Sequence, residues 1–208
     1  MRKLPLIASG AFLLLTACSD TPTTTAKKEP EKLEPITGQT AVYRMYQMAR
    51  SWASDAEVLQ LMSMRISEFT QEVPGKAAAW QATFVSTSKG KSRSYTYSIV
   101  ESQGNLHKGA FAGPEETFSG SRGVATPFLI AAVKKDSDEA YKTALDDTKS
   151  HAADYDKKNP GKPITILLEK TSKFPDPAWR VIWGESVSTS TFSVFIDAST
   201  GLYLETMH

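Results

Sequence analysis

Residues 175–204 read PDPAWRVIWGESVSTSTFSVFIDASTGLYL, which predicts a β-hairpin followed by a tight turn and a last short strand. On both arms of the hairpin, every second residue is aromatic or aliphatic: Trp179, Val181, Trp183, Phe192, Val194 and Ile196. An alternation with a period of two places these side chains on one face of a sheet. Asp197–Gly201 supplies the turn, with a glycine where a positive φ is needed. The stretch holds no catalytic group and predicts a sheet that another layer must cover.

An earlier stretch has the same pattern. Trp80, Ala82, Phe84, Tyr95, Tyr97 and Ile99 alternate on two arms that lead to Gly104. Trp80 and Gly104 are 24 positions apart, and Trp179 and Gly201 are 22 positions apart. We attribute the difference to hairpin loops of different length, because loops tolerate insertions. The chain is therefore predicted to have an α+β fold of two repeated units, each a helix packed on an antiparallel sheet.

Each predicted sheet is preceded by a predicted helix. Apolar residues at helical spacing over Thr40–Trp52 predict the first helix, and those over Ala140–Tyr155 predict a second helix of about five turns. An Asp or Ser at the start of the second helix, in Asp136-Ser137-Asp138-Glu139, can cap its amides, and further acids in the first turn favour the helix dipole. A calcium loop starting at Asp136 is excluded, because its sixth position would be Tyr141 in place of glycine.

A strand is predicted between each helix and its hairpin. Residues 164–169, ITILLE, follow the turn signal Asn159-Pro160-Gly161 and read as a strand. Residues 58–66, VLQLMSMRI, occupy the corresponding place in the first unit, and we interpret them as a strand too. A helix is the competing interpretation there, because Leu, Met and Gln favour helices.

The second unit resembles a known family. The motifs are a DSxxA helix start, then W-x-V, then V-F-I-D-A-x-x-G, at Asp136–Ala140, Trp179–Val181 and Val194–Gly201. These motifs are similar to those of the PepSY domain family over residues 136–204, and more weakly over 40–106. The resemblance implies helix-plus-antiparallel-sheet modules that bind or restrain partners and are not catalysts. The chain as a whole also looks like uncharacterised bacterial lipoproteins.

The first 18 residues indicate the compartment. Arg2 and Lys3 precede an apolar run from Leu4 to Leu15, which is too short for a stable transmembrane helix and suits a signal peptide. The run ends in Leu-Thr-Ala-Cys at Cys18, which resembles the bacterial lipobox. That resemblance implies a diacylglyceryl group on the Cys18 sulfur and a further acyl chain, palmitate or similar, on its amine. Two or more chains give stable membrane anchoring.

The residues after Cys18 are polar and rich in proline, which predicts a tether without a core. The 17 residues 19–35 would reach about 20–25 Å if they are flexible. The predicted organisation is a signal peptide at 1–17, the lipidated cysteine and tether at 18–37, a first PepSY-like unit at 38–108, a glycine-rich connection at 109–127, and a second PepSY-like unit at 128–208. The folded part would lie outside the cytoplasm in the bacterial cell envelope.

Charge and composition exclude several classes of function. Arg2 and Lys3 are the only charged residues before Cys18, which leaves 22 basic and 23 acidic residues in the remainder. A near-neutral chain without a basic block gives no case for nucleic-acid binding. A single cysteine excludes an internal disulfide and a cysteine-based metal site. We expect no metal and no other cofactor, since His107, His151 and His208 lie far apart in sequence.

Catalytic motifs are also missing. Gly120-Ser121-Arg122-Gly123 is one residue short of a nucleophile elbow. Ser86–Lys89 matches S-x-x-K, but no S-D-N or K-T-G accompanies it, and the stretch is better explained as a solvated hairpin tip. We therefore expect no catalytic residue and no enzymatic activity.

Residues 102–127 carry five glycines and two prolines, and we expect an irregular connection there. Long connections inside a compact domain are often functional. If the protein has a ligand site, its candidate residues are in this region: His107, Phe111, Glu115, Glu116, Phe118 and Arg122. The alternative is a crossover between the units, held down by its aromatic side chains.

Three functions remain open at this stage. The first is a membrane-anchored lipoprotein with a non-catalytic PepSY-like module that binds or regulates a partner. The second is an inhibitor or chaperone of an exported protease, by analogy with protease propeptides. The third is a small-ligand sensor that uses the glycine-rich connection.

Overall fold

The structure is a computed structural model that describes residues 33–67, 69, 73–102, 104, 106–120 and 123–208. Cys18, the predicted signal peptide and tether up to residue 32, and Arg122 lie outside the described residues. Residues from Leu33 to His208 form one compact unit.

The described residues form an α+β fold, as the alternation and the helical spacing predict. The helices are α1 (Gly38–Trp52), α2 (Ser137–Asp146) and α3 (Ala152–Lys158), with short 3-10 turns at Ile130–Ala132 and Thr148–Ser150. The strands are β1 (Ile36–Thr37), β2 (Glu57–Met64), β3 (Lys76–Ala77), β4 (Ala79–Ser86), β5 (Lys91–Ser98), β6 (Gly109–Thr117), β7 (Ala125–Thr126), β8 (Ile164–Thr171), β9 (Ala178–Trp183), β10 (Ser193–Asp197) and β11 (Tyr203–Met207). The interpretation of residues 58–66 as a strand is confirmed over Glu57–Met64.

Nine strands form one antiparallel sheet. Its order is β11-β10-β9-β8-β2-β4-β5-β6, with β7 paired to the end of β8. In each half a helix precedes a four-stranded meander, and the first strands of the two meanders, β2 and β8, pair at the centre through Leu61 and Leu168. Strands β1 and β3 form a separate two-stranded sheet. That the two halves are copies of one unit stays a prediction.

The two aromatic-led hairpins have the same length, which corrects our attribution to the hairpin loops. Trp80 pairs with Tyr97 and Trp179 pairs with Ile196, and each pair is 17 positions apart. The two extra residues of the first half lie after the hairpin, between Tyr97 and Gly104. Gly201 has φ +79° and closes the predicted turn of the second half.

The core lies between the helices and one face of the sheet. Its largest members are completely or almost completely buried, and they include Trp80, Trp179, Trp183, Phe84 and Tyr95. The indole of Trp80 donates from Nε1 to the carbonyl of Ile36 at 3.0 Å, and that of Trp179 donates to the carbonyl of Lys135 at 2.8 Å. Each acceptor lies two residues before the first residue of a helix. Both tryptophans therefore satisfy their polar atom where a helix begins.

The predicted five-turn helix is wrong beyond Asp146. The chain breaks there and resumes as α3 after His151, which has a left-handed φ of +57°. The side chain of Asp147 accepts from the amide of Lys149, and Ser150 Oγ donates to the carbonyl of Ala144. These local side-chain bonds replace bonds that a continuous helix would make.

The expectation of an irregular connection is wrong for residues 109–117, which form β6 at the edge of the sheet. Ala110 and Ala112 pair with Tyr97 and Tyr95 of β5, and the register shifts beside Gly113. Pro114 is compatible with an edge strand, because its missing N–H can fall on the unpaired side. Glycine and proline in this stretch therefore mark a bulged edge.

Candidate functional site

Two of the predicted ligand residues lie together at one end of β6. The rings of His107 and Phe111 have centroids 4.9 Å apart, and Phe111 is 42% exposed. Nδ1 of His107 lies 2.5 Å from Oε1 of Glu101, whose other oxygen accepts from the amide of Lys108 at 2.9 Å. The amide of Lys108, followed by His107, lowers the pKa of Glu101. The hydrogen bonds of the exposed Glu101 carboxylate to His107 and Lys108 therefore hold the turn between these residues closed.

The other predicted residues point to structural roles at separate places. Oε1 of Glu115 accepts from Nε1 of Trp52 at 2.6 Å and so attaches the end of α1 to β6. Glu116 pairs with Ser92 on the neighbouring strand. Phe118 packs against a small second cluster formed by Leu59, Val85 and Ala125. Phe111 and Glu115 are four positions apart along the strand, or roughly 13 Å. None of these residues lines the cleft described next.

A cleft of about 390 Å³ lies elsewhere, beside the end of β2 and the start of β8. It is bounded by the connection from β2 to β4, by α2 and by β8. Its described lining residues are Ser63, Met64, Arg65, Ile66, Ser67, Phe69, Val73, Pro74, Gly75, Lys76, Ala77, Ala78, Tyr141, Ile164 and Ile166. Ten of these fifteen are apolar or aromatic, and Ile66, Phe69, Tyr141 and Ile164 also pack against the main core.

Hydrogen bonds and close packing fix one wall of the cleft. The carbonyl of Gly75 accepts from Oγ of Ser137 at 2.6 Å, so the wall is attached to the start of α2. Gly75 has φ +71°, and a Cβ there would lie 2.2 Å from Cα of Asp138. The position therefore requires glycine. On the other side, Lys76 and Ala77 form β3, which pairs with β1.

The lining combines apolar side chains with the hydroxyl residues Ser63, Ser67 and Tyr141 and the cationic residues Arg65 and Lys76. Among the described lining residues there is no carboxylate, imidazole or thiol that could act as a general base or nucleophile. In the described part of the chain, no group of three or more His, Cys, Asp or Glu could hold a metal ion. No helix among the described residues is both long enough and apolar enough to span a bilayer.

The S-x-x-K stretch lies at the tip of the β4–β5 hairpin, as we expected. Oγ of Ser86 is buried and donates to Oδ1 of Asp55 at 2.7 Å, and the amide of Ser88 donates to Oδ2 at 2.9 Å. The amide of Lys89 donates to Ser86 Oγ at 3.2 Å. The bond from Ser86, followed by that from the amide of Ser88, lowers the pKa of Asp55 to about 2. Ser86 therefore positions a turn.

Sequence reasoning missed the cleft. Its walls come from residues near 66, 75, 141 and 164, and only the strand pairing brings them together. The one local signal was Pro74-Gly75, a turn dipeptide in the connection from β2 to β4.

Comparisons with known proteins identify no family. No protein-family model matches the chain, and no curated protein matches it. The resemblance to the PepSY family therefore stays a prediction. One solved structure that the chain resembles is from Clostridium difficile and is described as a "putative lipoprotein". The two chains are 9% identical with a TM-score of 0.45, over 84% of this chain and 96% of that one. A likeness at this level carries no argument about function.

Proposed function

We propose that this protein is a lipid-anchored, non-catalytic binding protein of the bacterial cell envelope that holds a small apolar ligand in the cleft. The Leu-Thr-Ala-Cys sequence ending at Cys18 and the polar segment after it support the anchor. The observation that carries the binding role is the cleft of about 390 Å³, where ten of the fifteen described lining residues are apolar or aromatic.

The size and chemistry of the cleft favour a small molecule. Ligand sites in proteins are usually concave, mostly apolar, and about 300–1,000 Å³ in volume. The side chains of Ile66, Phe69, Tyr141 and Ile164 are only partly buried, so a bound apolar group would remove more of their surface from water. At roughly 25 cal/mol per Å² of apolar surface, that burial favours binding. The proposal places the ligand in this cleft and not at the candidate residues of the glycine-rich connection.

A fluorescent apolar probe tests the binding role. N-phenyl-1-naphthylamine should bind the purified full chain saturably, and Ile164→Gln should weaken binding by about ten-fold because it places an amide in the cleft. Leu202→Gln is the matched control, since Leu202 is 65% exposed and does not line the cleft. Equal binding by both variants, or no saturable binding by the wild type, would contradict the proposal.

Metabolic labelling tests the anchor separately. Radiolabelled palmitate should enter the wild-type chain in bacterial cells, and the label and membrane attachment should both be lost in Cys18→Ala. Ser19→Ala leaves the cysteine in place and serves as the control. Retention of label and of membrane attachment by Cys18→Ala would refute lipid anchoring at this residue.

A further inference from the structure

We infer that β1 couples the tether to the cleft, so that ligand in the cleft and the pairing of β1 with β3 stabilise each other. This inference rests on the proposed function and concerns the regulation of the same site. Strand β1 begins at Ile36, where the predicted tether of residues 18–37 joins the fold.

Strand β1 directly contacts the wall of the cleft. Ile36 pairs with Ala77 and Thr37 pairs with Lys76. Ala77 and Lys76 both line the cleft. A shift of β1 therefore acts on residues that would touch a ligand, with no intervening element.

This wall of the cleft is held from two sides, and only one of these sides involves β1. Ser137 holds Gly75 from α2, through the 2.6 Å bond to its carbonyl. On the other side β1 holds β3, and β1 itself is held by the bond from Trp80 to the carbonyl of Ile36. Release of β1 would leave the wall attached through the bond from Ser137 to Gly75 and through the bond from the amide of Ile99 to the carbonyl of Ala78. The cleft would then lose one support without loss of the fold.

The pairing of β1 with β3 is small enough for a ligand to affect it. Each strand has two residues, and the pair is separate from the nine-stranded sheet. Isolated two-stranded pairings are marginally stable, and local opening at such places requires little free energy. A ligand that packs on Ala77 would favour the paired state. By thermodynamic linkage, loss of the pairing must weaken ligand binding by the same factor.

The test uses Ile36→Gly in the full chain, which loosens β1 because glycine disfavours strands and removes a half-buried side chain. Ile36→Val keeps a β-branched residue and is the matched control, and Leu33→Gly changes an exposed residue before β1. Without ligand, we expect hydrogen exchange at the amides of residues 76–78 to accelerate in Ile36→Gly alone. Exchange in β10 should stay unchanged, which shows that the fold persists.

The second measurement is the dissociation constant of N-phenyl-1-naphthylamine. We expect it to rise about five-fold or more in Ile36→Gly and to stay unchanged in both controls. If the wild type binds the probe and Ile36→Gly binds it equally well, the coupling is wrong while the proposed function stands. If exchange accelerates but the wild type binds no probe, the proposed function fails, and the ligand part of this inference fails with it. Unchanged exchange at residues 76–78 overturns the inference as well.

Discussion

The carboxylate of Asp136 accepts a hydrogen bond at 2.9 Å from the backbone amide of Gln39, which is 97 residues away in the other half of the chain. The same oxygen accepts from the amide of Ser137 at 2.7 Å, and Oγ of Ser137 accepts from the amide of Gly38 at 2.8 Å. The first residues of α1 and α2 therefore meet. Both helices present unpaired amides and the positive end of their dipoles at this junction. The carboxylate of Asp136 accepts hydrogen bonds from the first turn of each helix.

Asp136→Ala should lower the free energy of unfolding by about 2–3 kcal/mol. The change removes the N-cap of α2 and also leaves the part-buried amide of Gln39 without its acceptor. Asp136→Asn retains a neutral acceptor and should cost less. Urea denaturation followed by tryptophan fluorescence gives both values, with the exposed Asp154→Ala as the control. A loss no larger than that of Asp154→Ala would mean that the junction does not depend on this carboxylate.

Gly38→Ala should be destabilising by about 1–3 kcal/mol, although glycine-to-alanine changes in helices usually stabilise. A Cβ on Gly38 would lie 2.7 Å from Cη2 of Trp179 and 3.1 Å from Cη2 of Trp80. Both rings are completely buried and cannot retreat without disturbing the core. The melting temperatures of the wild type and of Gly38→Ala show whether the substitution stabilises or destabilises the protein. A higher melting temperature for Gly38→Ala would show that the two indoles do not pack against the start of α1 in this way.

The parts of the fold that follow local rules could be predicted from the sequence. The period-two alternation around Trp80 and Trp179 identified both hairpins, and Gly201 identified the last turn. The sequence also predicts an Asp or Ser cap at the start of α2, because such a side chain satisfies amides in its own helix, and the cap is Asp136. Its second role, towards Gln39, depends on how the two halves pack.

The remaining features depend on contacts that local patterns do not record. The end of α2 depends on the side chains of Asp147 and Ser150, which bond to nearby backbone although the apolar spacing continues. Strand β6 contains glycine and proline and was interpreted as irregular, yet pairing with β5 makes it regular. The cleft brings Ile66 together with Tyr141 and Ile164, which lie 75 and 98 positions further along the chain. No single stretch of sequence contains it.

Protonation of Asp55 should make the protein less stable in acid. Its pKa in the folded protein is about 2, below its ordinary value of 3.8, because Ser86 and the amide of Ser88 donate to the charged form. A lowered folded pKa gives stability that is complete above the unfolded value and is lost as pH falls through the folded value. The loss therefore falls between about pH 5 and pH 2. Stability measured over this range should depend less on pH in Asp55→Asn than in the wild type.

The control for Asp55 is Asp176→Asn, which removes a carboxylate from an exposed loop residue. It should leave the pH dependence of the wild type intact. If the curves of Asp55→Asn and Asp176→Asn coincide, the bonds to Ser86 and Ser88 do not contribute to stability in the way proposed.

Glu169 should have the opposite effect to Asp55 on the pH dependence of stability. It is 8% exposed on β8, and burial raises its pKa above the ordinary 4.5, while Arg180 and Gln60 lower it by less. A raised folded pKa means that the native state holds its proton longer than the unfolded state, so stability falls as pH rises from the unfolded value through the folded one. The wild type should therefore lose stability relative to Glu169→Gln as pH rises above about 4.5. The exposed Glu185→Gln should parallel the wild type. The decisive quantity is the slope of stability against pH, and the attraction between Glu169 and Arg180 is part of that slope, because it grows as Glu169 loses its proton. Parallel curves for Glu169→Gln and Glu185→Gln would indicate that Glu169 is hydrated in solution.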